Sequence, residues 1–266
     1  MKISDIDQSG FDGRKEALEK ITRYHIYKPM FYRPTDYFHS VKVFNLVKAA
    51  SPVVTKVFGN QFDSNKAMIM AFVHDDAEII TGDIQSGQKA KMTDSELAQI
   101  DQNEIMAIDQ LAAKYPRMIN GYNYRELLLE VMEKNTLESQ VVKYLDHVDA
   151  LGEAYHELYA GNPVFNTNIV DSNLGKIEVP HEYYIVRFNA YVSRYPLLKE
   201  LMSLSPPFFN FYIAPDVAMI VKNSKPHSLE SMREGTGNDI YDWWKQVLLA
   251  NLEPQELENL YSQKEF

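Results

Sequence analysis

The chain has 266 residues, 27 basic and 37 acidic, a formal charge of −10 and no cysteine. That length suits one large domain, or a domain with an extension, and can bury a core without covalent staples. Lack of cysteine excludes disulfides, thiolate metal centres and a cysteine nucleophile, and an acidic balance with no basic run argues against a long nucleic acid as partner. Met1 to Asp12 carries Asp5, Asp7 and Asp12 and no apolar run, so no targeting peptide is expected and the cytoplasm is the expected compartment. The most apolar stretch, Ala67 to Val73, is far shorter than the roughly 20 residues that span a bilayer, so no membrane partner is expected.

Glycine and proline are sparse, and the segments between them repeat apolar residues at helical spacing, which predicts a nearly all-α chain. A first helix is expected over Arg14 to Arg23, followed by a loop broken by Pro29 and Pro34. The next runs from Thr35 or Asp36 to about Ala50, with Val43, Phe44 and Val47 inward, and stops before Ser51-Pro52. A third, capped by Asp63 or Ser64, is apolar on most faces through Met68, Ile69, Phe72 and Val73, as a central helix of a bundle would be, and delivers His74, Asp75 and Glu78. Thr81-Gly82-Asp83 reads as a stop, Gln85 to Lys91 as a loop, and Thr93 with Glu96 as a capping box opening a long helix that ends before Pro116. A shorter helix is expected over Tyr124 to Lys134. Asn135 with Glu138 then caps one from Thr136 to about Tyr159, with Asp146 in its middle and Gly161-Asn162-Pro163 at its end. Asn166 to Pro180 is polar and marks the expected boundary between a domain of residues 1–165 and a helical extension of residues 166–266. Helices are predicted there over His181 to Leu204, Ala214 to Asn223, Asp239 to Leu252 and Pro254 to Ser262. The pair Trp243-Trp244 reads as core.

His74-Asp75 at the end of an apolar helix calls for a partner, because burying an imidazole and a carboxylate costs free energy unless something compensates them. One divalent cation would pair with both, and His39 and Asp146, on separate predicted helices with apolar neighbours, are the available further ligands. Two imidazoles and two carboxylates suit Co, Mn, Zn, Ni or Fe. Glu78 lies one helical turn after His74, on the same face, placed for proton transfer to or from water or a leaving group.

The order His39, His74-Asp75, Asp146 resembles the H…HD…D signature of the HD superfamily of metal-dependent phosphohydrolases, which are all-helical. A narrower resemblance is to the bacterial 5′-deoxynucleotidases of that superfamily. Ile21-Thr22-Arg23-Tyr24 resembles their I-x-R-W, His39-Ser40 their H-S, and the run His74 to Asp83 their H-D-x-x-E-x-x-T-G-D. Val142 to Asp146 resembles their V-K-x-x-D, and Gly161 follows at the family's spacing. The register assigns the last ligand to Asp146, with Asp149 one helical turn further on. Departures are Tyr24 in place of Trp, Phe38 in place of an acidic residue before the first His, and Gln85-Ser86-Gly87 in place of Pro-Thr-Pro.

The resemblance implies an all-α HD-domain bundle, one divalent metal ion held by His39, His74, Asp75 and Asp146, and removal of the 5′-phosphate from (deoxy)ribonucleoside monophosphates. It implies catalytic roles for Glu78 and Asp83, phosphate binding by Arg23, sugar packing by Tyr24 and substrate binding by Lys89. A homo-oligomer, a dimer in the simplest case, is expected. A triphosphohydrolase, a phosphatase for another small ester, and a non-catalytic nucleotide sensor stay open as alternatives.

Overall fold

The computed structural model describes residues 1–25, 31–84, 86–89, 92–162, 165, 169–171, 175–177, 196–201, 204, 207–208, 220, 224 and 229–262. Helices dominate these residues. They comprise α1 (Arg14–Leu18), α2 (Asp36–Phe58), α3 (Ser64–Val73), α4 (Glu78–Thr81), α5 (Ser86–Lys89), α6 (Asp94–Lys114), α7 (Tyr124–Glu133) and α8 (Leu137–Tyr159), then Leu229–Arg233, Asp239–Asn251 and Pro254–Ser262. Two antiparallel hairpins, Met118–Ile119 with Tyr122–Asn123 and Ile169–Asp171 with Gly175–Ile177, complete them, so the fold is an all-α bundle with minor β decoration. Among the described residues no helix is long and apolar enough to cross a membrane.

The chain divides into two compact units. The first is Met1–Tyr24, Pro34–Lys48 and Asn60–Lys143; the second is His25–Arg33, Ala49–Gly59 and Tyr144–Phe266. Among the dividing points, one falls inside α2 and one inside α8.

In the first unit, α1 ends at Leu18 instead of continuing to Arg23. The β-branched pair Ile21-Thr22 prefers extended backbone, and the segment after Pro34 offers it hydrogen-bond partners. Thr22 bridges Thr35, the Arg23 N–H donates to the Pro34 carbonyl (3.0 Å), and the Asp36 N–H donates to the Ile21 carbonyl (3.1 Å). Arg23 is thereby placed beside the start of α2. That helix does not stop at Ser51; it runs through Pro52 to Phe58. An internal proline costs about 3 kcal/mol, and here Pro52 is exposed while Ala50 and Val54 beside it are fully buried, so burial of the helix's inner face offsets the loss.

Helix α3 begins as expected, with Asp63 accepting from the N–H groups of Asn65 and Lys66. Every residue from Ala67 to Val73 is buried, which confirms it as a central helix. The Thr93–Glu96 capping box opens α6. Asn120-Gly121, at φ 48° and 87°, forms the tight turn of the first hairpin; the Asn-Gly pair was the available signal for a hairpin absent from the sequence expectations. The α8 cap falls one residue later than expected. Thr136 and Ser139 bond reciprocally through hydroxyl and backbone N–H, while Glu138 accepts from the Asp63 N–H (2.7 Å).

In the second unit α8 ends in a Schellman turn, with the Asn162 N–H donating to the Glu157 carbonyl, the Gly161 N–H to Leu158, and Gly161 at φ 84°. The face of α8 in this unit carries buried polar groups with defined partners. Asp149 accepts from the Trp244 indole N–H (2.7 Å), and His156 lies between the Tyr241 hydroxyl (2.9 Å) and the Leu260 carbonyl (2.7 Å). Glu157 accepts from the N–H groups of Phe31 (2.9 Å) and Tyr32 (2.7 Å) and from the Asn162 amide (2.6 Å). Trp244 is fully buried, and the helices Asp239–Asn251 and Pro254–Ser262 match expectation. Of the helix expected over His181 to Leu204, the described part is chiefly the 3-10 segment Pro196–Leu201; the one expected over Ala214 to Asn223 lies outside the described residues apart from Ile220.

Two outcomes are expected. A Cβ on Gly152 would lie 2.5 Å from the Trp244 indole, so Gly152→Ala should cost about 1–3 kcal/mol, read as a lowered Tm; an unchanged Tm would refute the close packing. Burial pushes Glu157 up to about 7 against the pull of its Asn162, Phe31 and Tyr32 donors. A folded-state value above the unfolded one gives stability that is complete below about pH 4.5 and lost as pH rises through 7. The unfolding free energy of wild type relative to Glu157→Gln should therefore fall across that window, by at most about 3 kcal/mol, and a flat difference would contradict it.

Candidate functional site

All side chains of this arrangement belong to the first unit unless stated. Helix α3 ends at Val73, and His74 to Ala77 form a turn before α4 opens at Glu78. His74 Nδ1 lies 2.8 Å from the Ala71 carbonyl. A carbonyl only accepts, so Nδ1 carries the proton and, in the neutral ring, the Nε2 lone pair faces inward. His39, one turn into α2, is fully buried, and its Nε2 is 3.2 Å from His74 Nε2. Asp75 Oδ2 lies 3.2 Å from His74 Nε2 and 3.4 Å from His39 Nε2.

Three potential ligand atoms thus converge on one small volume. Metal–ligand bonds of about 2.0–2.2 Å place neighbouring ligands about 3.0–3.5 Å apart in octahedral to tetrahedral shells, which is the spacing seen here. A bond from the far ring nitrogen to a backbone carbonyl, as His74 Nδ1 makes here, is also the usual means of orienting a metal-ligating imidazole. These side chains can hold a divalent cation; nitrogen and carboxylate donors leave several transition metals equally suitable.

Beside this group lies an acidic one. Oxygens of Asp36, Asp75 and Glu78 all lie within 4.8 Å of one another. Arg23 reaches into the same region, with Nη1 3.4 Å from Asp75 Oδ2 and 3.7 Å from Asp36 Oδ1. Burial pushes Asp36 up to about 6; Arg23 opposes that rise and the Asp75 charge adds to it. Burial, then the charges of Asp75, Asp36 and Asp83, push Glu78 well above the usual glutamate value. Asp75 goes the other way: burial alone would raise it, but His74, His39 and Lys143 together hold it below the usual carboxylate range. One carboxylate is thus kept ionised beside the imidazoles, while burial and its acidic neighbours favour the protonated form of Glu78, three residues on.

Of the remaining sequence candidates, Tyr24 is buried and adopts φ 55°, a left-handed conformation uncommon for a bulky side chain, with the Arg23 guanidinium 5.5 Å from its ring centroid. Asp83 follows α4, half-buried, and acts on Glu78 through its charge. Lys89 ends α5; its charge and that of Lys143 weigh on Lys134, whose pKa is lowered chiefly by burial. Asp146 is a residue of α8 in the second unit, 8% exposed, with Oδ2 4.0 Å from His147 Nδ1. Asp149, the alternative one turn on, is engaged by the Trp244 indole. Sequence reasoning missed Asp36 and Lys143 as members of the charge environment. Asp36 was detectable in principle: it stands three residues before His39 on the same helical face.

The family described as 5′-deoxynucleotidase YfbR-like matches residues 16–190. The 5′-deoxynucleotidases YfbR of Salmonella paratyphi B and Salmonella newport are each 27% identical over 130 residues, covering 48% of this chain and 62% of theirs. The chain therefore spans about three-fifths of the length of these curated relatives. A solved structure, a conserved hypothetical protein from Pyrococcus furiosus, aligns with a TM-score of 0.47 at 21% identity over 71% of this chain and 94% of that one. The matched span contains Arg23, His39, the His74-Asp75 turn and Glu78 in the order and helical setting described above, and on that match the chain belongs to the YfbR-like 5′-deoxynucleotidase family of the HD superfamily.

Proposed function

We propose that the protein hydrolyses the 5′-phosphate of (deoxy)ribonucleoside monophosphates, using one divalent metal ion held by His39, His74, Asp75 and Asp146. The observation that carries this reading is the convergence of two imidazoles and a carboxylate beside Glu78 and the Arg23 guanidinium. The assignment of Asp146 rests on the V-K-x-x-D register and on the engagement of Asp149 elsewhere. A cation held by this set supplies charge neutralisation to phosphate oxygens and lowers the pKa of water.

The chain's own groups account for the remaining work. Arg23 offers a guanidinium fork to two phosphate oxygens and exchanges its carboxylate neighbours Asp75 and Asp36 for the substrate. Glu78, whose burial and acidic neighbours favour its protonated form, gives its proton to the departing 5′-oxygen as the bond from phosphorus to that oxygen breaks, and recovers one from the attacking water. The balance is ester plus water to nucleoside plus orthophosphate, with no redox partner. Tyr24, fixed beside Arg23, offers its ring edge to the sugar, and its smaller size than the family's Trp leaves more room at the 2′-position. Asp83 adds its charge to those that favour the protonated form of Glu78, and Lys89 adds positive charge toward the phosphate.

The decisive experiment is phosphate release from deoxy- and ribonucleoside mono-, di- and triphosphates by chelator-stripped protein reloaded with Co²⁺, Mn²⁺ or Zn²⁺. Metal-dependent orthophosphate from monophosphates is expected; tripolyphosphate from triphosphates, or silence on all nucleotides, would overturn the substrate assignment. Glu78→Gln should retain metal and lower turnover by about 10²- to 10⁴-fold, with unchanged turnover removing Glu78 from proton transfer. Asp146→Ala should lose bound metal while Asp149→Asn keeps it, and the reverse result would reassign the ligand.

A further inference from the structure

The turn that carries His74 and Asp75 is gripped from both sides by one buried arginine. At the end of α3 the Asp76 N–H donates to the Val73 carbonyl (3.0 Å), so the Phe72 carbonyl loses the α-helical donor it would otherwise have. Arg14 supplies the replacement, with Nη2 donating to the Phe72 carbonyl at 2.5 Å. The same guanidinium binds Asp76 through two contacts, Nε to Oδ2 at 2.7 Å and Nη2 to Oδ1 at 2.6 Å. Residues 72 and 76 lie two before His74 and one after Asp75, so the contacts bracket the dipeptide. The Tyr124 hydroxyl donates to Asp76 Oδ2 at 2.7 Å, giving the carboxylate a third donor from α7. The Arg14 guanidinium also lies 4.3 Å from the centre of the Phe72 ring. Arg14 is 2% exposed, and Asp76 and Tyr124 are fully buried.

We propose that Arg14, Asp76 and Tyr124 are positioning residues that hold the turn in the conformation presenting His74 Nε2 and Asp75 Oδ2 to the metal. The inference rests on the metal reading given above and extends it to groups that touch neither metal nor substrate. A five-residue helix such as α1, carrying Arg14 as its first residue, contributes little stability by itself; its buried guanidinium gives it a defined task. The planar fork suits this task because Nε and Nη2 face the two carboxylate oxygens side by side while Nη2 also reaches the carbonyl, whereas a lysine ammonium offers its donors from a single atom.

The test compares wild type, Arg14→Lys, Tyr124→Phe and the charge-free double variant Arg14→Met with Asp76→Leu, alongside Leu248→Ala, at a fully buried residue of the second unit, as a core control that lowers Tm. Far-ultraviolet circular dichroism confirms folding, and Tyr124→Phe, which leaves no buried charge unpaired, keeps the test valid if the arginine variants fail to fold. In metal-free protein, amide hydrogen exchange at Asp76 and Glu78 reports the turn; Co²⁺ affinity and its visible spectrum report the ligands. Expected are faster exchange at both amides and Co²⁺ binding weakened about 10- to 100-fold in Arg14→Lys, a smaller loss of the same kind in Tyr124→Phe, and neither change in Leu248→Ala. Unaltered Co²⁺ affinity in the folded variants would overturn the positioning role while leaving the metal reading intact. Wild type that binds no Co²⁺ would overturn both.

Discussion

Three polar side-chain atoms held within 3.4 Å of one another in the interior need compensation that neither water nor apolar neighbours provide. His39 Nε2, His74 Nε2 and Asp75 Oδ2 form such a group, and much of the first unit serves to hold it. Helix α3 is buried on all faces through Val73, so it cannot slide or rotate without exposing apolar surface. The Thr22–Thr35 bridge sets where α2 begins and hence where His39 sits. Arg14 closes the turn that follows α3. Each of these contacts spends backbone or side-chain freedom on the placement of a few atoms.

The electrostatics around that group are asymmetric. Asp75 is kept ionised by the imidazoles and by Lys143, whereas Asp36 and Glu78, buried next to one another and to Asp75, are driven towards their neutral forms. Carboxyl groups thus divide into one held in its charged form and two shifted towards neutrality through environment alone. Arg23 stands between the two sets, near enough to Asp75 and Asp36 to be oriented by both, yet long enough to turn to an incoming phosphate.

The second unit treats its polar residues differently. Asp149, His156 and Glu157 on α8 look as chemically capable as the residues of the first unit, but each is committed to an indole, a hydroxyl, a carbonyl or backbone N–H groups. Glu157 holds the backbone of Phe31 and Tyr32, and Gly152 is small because the Trp244 ring lies against it. The same residue types therefore meet backbone and aromatic partners in one unit and one another in the other, and only those partners tell the two settings apart.

Helical periodicity, the Asp63 and Thr93 caps and the all-apolar run of α3 were legible in the sequence because they are local properties of the chain. So was the ordered set His39, His74-Asp75, Glu78, since motif spacing survives divergence that erases overall identity. The ends of α1 and the passage of α2 through Pro52 were not legible, because propensity is overridden there by bonds to residues distant in sequence and by burial. Nor were the contacts of Arg14, Asp76 and Tyr124: nothing local distinguishes these residues from surface charges or core aromatics. The sequence by itself determined the helical class, the family and the residues able to ligate or transfer protons. Only the tertiary structure decided which carboxyl group is ionised and what grips the His74-Asp75 turn, because both depend on desolvation and on neighbours that folding alone brings together.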